Sequence, residues 1–286
     1  MTAAAPTQPE AKRWRDLRKR FLSALVLGPT ALLCVWLGSD PFTLLMAACV
    51  GVLAWEWVHL CGMRTRALPG AAVPVTVFVA GALAVVERPG WSWTVLLIGF
   101  LLAWGGARYA RWRSGVPRQP ALLLALGVLY IGVAGLCLIE LRHDNAAGRA
   151  NVLFLLTAVW ASDIGAYMAG RILGGPLLWP SVSPNKTWSG SAGGLLLAML
   201  CGMGMAAAMA PGSLARAAAL AAILAVATQA GDLLESAIKR HFKVKDTSSL
   251  IPGHGGLLDR LDGLLAAAPA AALLAAAVGY GVPLWQ

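Results

Sequence analysis

Of 286 residues, 58% are hydrophobic and only 13% are charged, against roughly 25% charged in an ordinary soluble domain. A soluble fold would have too little polar surface to cover itself, whereas a polytopic membrane protein uses lipid as its solvent. The formal net charge of +10 would suggest nucleic acid on a soluble protein. Here the charge sits between apolar runs, which points to membrane orientation instead, with membrane lipids and no nucleic acid as partners.

The chain opens on a basic segment, residues 1–20, ending AKRWRDLRKR. Trp14, Leu17 and Phe21 share one helical face with Arg and Lys opposite, so the stretch reads either as a membrane-surface helix or as a basic tail. The run FLSALVLGPTALLCVWLG follows at once. It is long enough to span and lacks a cleavage-site pattern, so it reads as an uncleaved first helix. Nine segments are apolar enough to cross, at about 21–38, 42–61, 69–86, 91–107, 121–141, 150–173, 189–210, 214–234 and 263–284, the third and fourth being the shortest. Gly127, Gly132 and Gly135 in one span, and Gly190 and Gly194 in another, recur at helix-packing spacing. The five cysteines are scattered singly and read as small core residues.

With the N-terminus in the cytoplasm, nineteen of the 23 Lys and Arg fall in cytoplasmic segments; Arg88, Arg142, Arg149 and Arg216 fall outside. The expected fold is therefore an all-α polytopic membrane protein with about nine transmembrane helices and a cytoplasmic N-terminus, in a bacterial-type inner membrane. It divides into the basic segment 1–20, N-terminal spans over 21–148, and a C-terminal catalytic region over 149–286 with cytoplasmic loops 174–188 and 235–262. Nucleotides and Mg²⁺ are on that side.

Acids at membrane depth cost at least ~2.5–3.5 kcal/mol each and so mark function. Asp163 lies within VLFLLTAVWASDIGAYMAG, Asp232 and Glu235 close the eighth span, and Asp259 and Asp262 open the ninth. Each pair is spaced i, i+3 on one helix face. Hard oxygen ligands without Cys or His partners suit Mg²⁺ or Mn²⁺, and Mg²⁺ takes one or two carboxylates and completes its shell with water and phosphate. Asp232 and Asp259 are the first choice of ligands, with Asp262, Glu235 and Asp163 as further candidates. A salt-bridged helix end is the competing reading of any one of them.

The acids lie beside a basic set, Lys239, Arg240, Lys243 and Lys245, and the turn PGHGG. Exposed N–H groups of Gly255 and Gly256 before a helix suit a phosphate, and His254 between glycines suits phosphate contact or proton transfer. The other polar loop, SVSPNKTWSG (181–190), offers Ser183, Asn185, Lys186 and Thr187 as donors, with Thr187 or Ser189 also readable as an N-cap. Lys186 is assigned to phosphate. Asp163 and Arg171 lie two helical turns apart on one face. No Walker A, GxSxG or HExxH sequence occurs. Transfer between two bound phosphates needs no protein nucleophile, only charge neutralisation, in-line placement and metal polarisation.

The stretch SAIKRHFKVKDTSSLIPGHGGLLDRLD (236–262) resembles the signature of the integral-membrane phosphatidate cytidylyltransferases, also called CDP-diacylglycerol synthases. SVSPNKTWSG and DIGAYMAGR (163–171) resemble two further motifs of that family. The resemblance is strong over about 150–265 and rests on hydropathy before that. It implies Mg²⁺-dependent conversion of CTP and phosphatidate to CDP-diacylglycerol and diphosphate, with a second monovalent or divalent cation as an open alternative. By resemblance, Asp232 and Asp259 carry metal, while Lys239, Arg240, Lys245, Lys186 and Arg260 hold phosphates. Two positions depart from the family: Gly174-Gly175 where a Lys is common, and Gly263 where a Ser is common. The alternatives are a CTP-dependent lipid kinase or a cytidylyltransferase acting on another phospholipid or a polyprenol; a transporter would spread its polar residues through the membrane. A homodimer is left open.

Overall fold

The computed structural model describes residues 25–86, 88–114, 120–144, 146–209, 211–251 and 255–286. Among them it forms nine helices: α1 (Leu25–Leu37), α2 (Ser39–Leu60), α3 (Ala72–Val85), α4 (Pro89–Ser114), α5 (Ala121–His143), α6 (Gly148–Leu173), α7 (Trp188–Met209), α8 (Leu214–His241) and α9 (Leu258–Val278). Seven are long and apolar enough to span a membrane; α1 and α3 are shorter. Between α6 and α7 lies a small antiparallel hairpin, β1 (Leu177–Trp179) and β2 (Ser183–Thr187). The basic segment 1–20 lies outside the described residues.

The all-α membrane architecture is as the hydropathy predicts, but several ends move. The fourth segment, short by hydropathy at 91–107, is a 26-residue helix. Its last turns carry Arg108, Arg111 and Arg113, whose stems can lie along the apolar surface while the heads reach water; Arg108 sits over the Trp104 ring at 5.4 Å. The eighth helix continues past 234 to His241, and its polar last turns find partners across the site in Lys186 and Asp259. The ninth begins at Leu258, not 263, so the loop expected over 235–262 shrinks to 242–257. α9 also ends early, at Gly279 with φ 109°. The apolar run VPLW then folds back, and Trp285 is fully buried against Phe154, ring centroids 5.1 Å apart.

α5 is the central helix, packed against α2, α3, α4, α6 and α9. Its glycines are where neighbours press in: a Cβ on Gly127 would stand 2.2 Å from the Trp57 ring, and one on Gly132 would stand 2.5 Å from Leu96. α6 and α7 approach backbone to backbone in the same way, as small residues permit. A Cβ on Gly194 would lie 2.6 Å from the Ser162 carbonyl oxygen, and one on Gly165 would lie 2.6 Å from that of Gly193.

Polar ties mark two ends of the bundle. At one end, Arg142 donates from Nε and Nη2 to the Val35 carbonyl (3.0 and 2.8 Å). Nearby, Asp144 accepts from the Gly281 N–H (2.8 Å) and Asn151 accepts from the Leu284 N–H (2.9 Å). At the other end, the last turns of α2 and α8, the hairpin after α6 and the start of α9 come together, and nearly all the sequence-predicted site residues lie there. Gly194→Val would wedge α6 from α7. Overpacking of this kind costs about 1–3 kcal/mol, so thermal unfolding in detergent is expected at a clearly lower temperature than for wild type, and an unchanged midpoint would show that the two helices are not held this closely.

Candidate active site

The last turns of α8 place Asp232, Glu235, Ser236 and Lys239 on one face, at positions three and four apart. The first turns of α9 bring Asp259, Arg260 and Asp262 against them. Lys239 is the pivot. Its Nζ donates to Asp259 Oδ1 at 2.9 Å and lies 2.6 Å from Glu235 Oε2. The Glu235 contact is an ion pair at an angle that leaves both buried Glu235 oxygens without a formed hydrogen bond. Asp259 Oδ2 accepts three more bonds, from Thr247 N–H (2.9 Å), Thr247 Oγ1 (3.1 Å) and Gly256 N–H (2.8 Å). Both oxygens of Asp259 are thus engaged by the protein, and the residue is buried.

The hairpin supplies the facing wall. Gly174 and Gly175 turn the chain out of α6 at φ 59° and 107°, a region that favours glycine. That accounts for the first departure from the family pattern. Gly263, the second, packs where a Cβ would stand 2.6 Å from the Thr228 side chain. At the end of β2, Thr187 caps α7, accepting from the Gly190 N–H at 3.1 Å. One residue earlier, Lys186 Nζ reaches across to Asp232 Oδ2 at 2.8 Å, with both side chains partly open to solvent. The hairpin turn is tied to α8 by Arg240, whose Nε donates to the Val182 carbonyl at 3.4 Å.

Between these walls and α6 lies a cavity of about 860 Å³. From α6 it is lined by Asp163 and Arg171, which share a face as their spacing predicts. From the hairpin come Ser183, Asn185, Lys186 and Thr187. Asp232, Glu235 and Lys239 line it from α8, and Asp259, Arg260 and Asp262 from α9. Four sequence-predicted residues stand apart from the lining. Arg240 and Lys245 are exposed, and Gly255 and Gly256 lie behind Asp259. The N–H of Gly256 expected to meet phosphate instead meets the Asp259 carboxylate, because an acid near a helix N-terminus takes those donors first. His254 lies outside the described residues.

Three residues that the sequence reading passed over belong to this region. Tyr167 lines the cavity between Asp163 and Arg171, and its hydroxyl accepts from Arg171 Nη1 at 3.1 Å. Gln229 lies at the α7 side of the cavity, donating to the Ser191 carbonyl (3.1 Å) and to Ser162 Oγ (3.4 Å) while Ser191 Oγ donates back to it. Glu56 of α2 is fully buried and binds the segment before α9. The signal for Glu56 and Gln229 was available, as each is a strongly polar side chain within a segment read as a span.

Among the described residues, no three His, Cys, Asp or Glu side chains are grouped so as to hold a metal by themselves. Asp232 and Asp262 nevertheless line the same cavity, from α8 and α9. Two carboxylates sharing a site favour a cation or proton with them. Acids and bases of this density, in a cavity at one end of membrane helices, suit a phosphorylated ligand with its counter-charge.

Residues 18–278 match the model of the cytidylyltransferase family. The chain is 40% identical over 255 residues to the phosphatidate cytidylyltransferase of Brucella suis biovar 1 (strain 1330), covering 88% of this chain and 91% of that protein. It is 36% identical over 284 residues to the enzyme of that name from Pseudomonas aeruginosa, covering 93% of this chain and all of the relative. To that from Bacillus subtilis (strain 168) it is 30% identical over 266 residues, covering 89% and 96%. The match runs through α1–α9, the hairpin and every cavity-lining residue named above, and the chain belongs to the cytidylyltransferase family of nucleotidyltransferases.

Proposed function

We propose that this chain converts CTP and phosphatidate to CDP-diacylglycerol and diphosphate at the cytoplasmic face of a bacterial inner membrane. The observation that carries the reading is the cavity itself, where Lys186, Lys239, Arg171 and Arg260 are set among carboxylates at the end of membrane helices. A phosphate oxygen of the lipid would form a bond to the α-phosphorus of CTP as the bond from that phosphorus to the bridging oxygen of the diphosphate breaks. The basic side chains would neutralise the triphosphate and the departing diphosphate, and the two reactants would be held in line. The exposed Arg240 and Lys245 would meet the lipid head group at the cavity's edge. The names of the relatives, phosphatidate cytidylyltransferase in each case, support the choice of substrates.

Mg²⁺ fits this donor set. Asp232 and Asp262, which line the cavity from facing helices, would hold it, since Mg²⁺ takes one or two carboxylates and leaves the rest of its shell to water and phosphate. Asp259, whose oxygens are already engaged, would act by holding Lys239. The ion would supply charge neutralisation and polarisation of the phosphoryl oxygens. Lys186 pairs with Asp232; a bound nucleotide would offer Lys186 a phosphate in place of that carboxylate. The concentration of Arg and Lys at the cavity end, against Arg88, Arg142, Arg149 and Arg216 at the other, supports the cytoplasmic orientation.

Purified protein in detergent, given phosphatidate and Mg²⁺, is expected to move label from the α-phosphate of CTP into lipid and none from the γ-phosphate. Lipid carrying γ-label would instead identify a kinase. Asp232→Asn should lose turnover by at least about 100-fold with little change in thermal midpoint, because its side chain is partly exposed. Asp259→Asn should lose turnover and also stability, by roughly 2–4 kcal/mol, because it breaks charge-assisted bonds to buried donors. A fully active variant of either would remove that residue from the site. Single cysteines placed at Leu250 and Tyr280 should react with an impermeant thiol reagent from opposite sides of inverted and right-side-out vesicles; labelling of Leu250→Cys from the periplasmic side would overturn the orientation.

A further inference from the structure

We infer that Glu56, on α2 and outside the cavity lining, is a positioning residue that sets the first turn of α9 and so the placement of Asp259, Arg260 and Asp262 in the site. The inference rests on the reading of that cavity as the site of nucleotidyl transfer. A helix N-terminus leaves its first N–H groups without intrahelical partners. At the start of α9 no local side chain caps them. A carboxylate some 200 positions earlier in the chain does so instead. Glu56 Oε1 accepts from the Leu257 N–H at 2.9 Å, and Oε2 accepts from the Leu258 N–H at 2.7 Å. Oε1 also accepts from Ser248 Oγ at 2.5 Å. Burying a carboxylate in an apolar helix is unfavourable unless such donors meet it, and Glu56 is 0% exposed.

Thr247 and the stretch from Gly256 to Leu258 are thereby held by two carboxylates. Asp259 takes the N–H groups of Thr247 and Gly256, and Glu56 takes the next two N–H groups, those of Leu257 and Leu258. Gly256 is where they close on the chain. A Cβ there would stand 2.7 Å from Glu56 Oε1 and 2.1 Å from Thr247 Oγ1. α2 is itself fixed next door. Trp57 donates from Nε1 to the Leu123 carbonyl at 2.9 Å and packs its ring on Tyr130, and the Tyr130 hydroxyl donates to the Asp262 carbonyl at 3.3 Å. Adjacent residues of α2 thus reach α9 directly at its first turn and, through α5, one turn further on. The N-terminal helices, which contribute no residue to the cavity lining, in this way set the register of the helix that does.

The test is Glu56→Gln in the full chain, purified in detergent. Gln keeps the size, but its amide nitrogen sets hydrogens against an N–H donor. Because a misplacement near 1 Å can cost on the order of 100-fold, kcat should fall about 10- to 100-fold while KM for CTP stays within about 3-fold. Hydrogen–deuterium exchange should quicken in the peptide over 247–258 and stay unchanged over 214–234. Wild-type kcat with unchanged exchange overturns the inference. So does lost activity with exchange quickened along the whole chain, which is the signature of general destabilisation. If Glu56→Gln does not yield folded protein, Ser248→Ala removes one donor of the same cradle: faster exchange confined to 247–258 with a lower kcat is expected, and faster exchange with unchanged kcat overturns it. If wild type transfers no cytidylyl label to phosphatidate, the assigned reaction fails, while the exchange pattern still reports whether Glu56 orders the segment.

Discussion

A charged group at the edge of a lipid slab persists only where an opposite charge or a hydrogen-bond donor meets it, since the medium on one side offers neither. That requirement organises the cavity end of this molecule. Lys239 stands between Glu235 and Asp259, and Lys186 answers Asp232. Glu56 and Asp259 satisfy the donors of the segment before α9. Buried ion pairs add little net stability, because desolvation offsets attraction, yet removing one partner is costly. The network is therefore better understood as a device that fixes positions than as a source of stability. What it fixes is a set of Lys and Arg side chains beside carboxylates in one cavity.

Much of this was legible in the chain. Long apolar runs separated by Pro, Gly and charge gave the spans, because hydrocarbon permits few alternatives to a helix. Period 3.6 put Asp232 with Glu235 and Asp259 with Asp262, and the structure brings those pairs into one cavity. The helix ends were less legible. Hydropathy stops counting at Asp232 and resumes after Asp262, but the helices continue through their charges because the partners lie on another helix. The run VPLW looked like membrane and is the packed tail around Trp285. Hydropathy records what a side chain avoids, not what it packs against.

The phosphate reading of the Gly256 N–H failed to anticipate competition. Free N–H groups at a helix start do attract an anion, but here the anion is supplied within the chain by Glu56 and Asp259. Glu56 lies some 200 residues away in sequence, and no local pattern announces it. Gly190 and Gly194 of α7 were read correctly as packing positions. Their effect is larger than packing, since backbone approach at Gly165 and Gly194 is what sets the hairpin and Lys186 over α8.

The Lys186–Asp232 pair has a consequence for how nucleotide affinity responds to ionic strength. A basic pocket that waits empty collects solution anions, and ligand phosphates then release one for each cation they meet. A pocket whose lysine already holds an internal carboxylate has fewer solution ions to give up. Its affinity should therefore decline with added salt more gently than a count of its Lys and Arg suggests, and screening should act mainly on the exposed Arg240 and Lys245 at the rim. The slope of log Kd against log salt concentration reads this directly: one solution ion per basic side chain would mean that the Lys186–Asp232 pair is not formed.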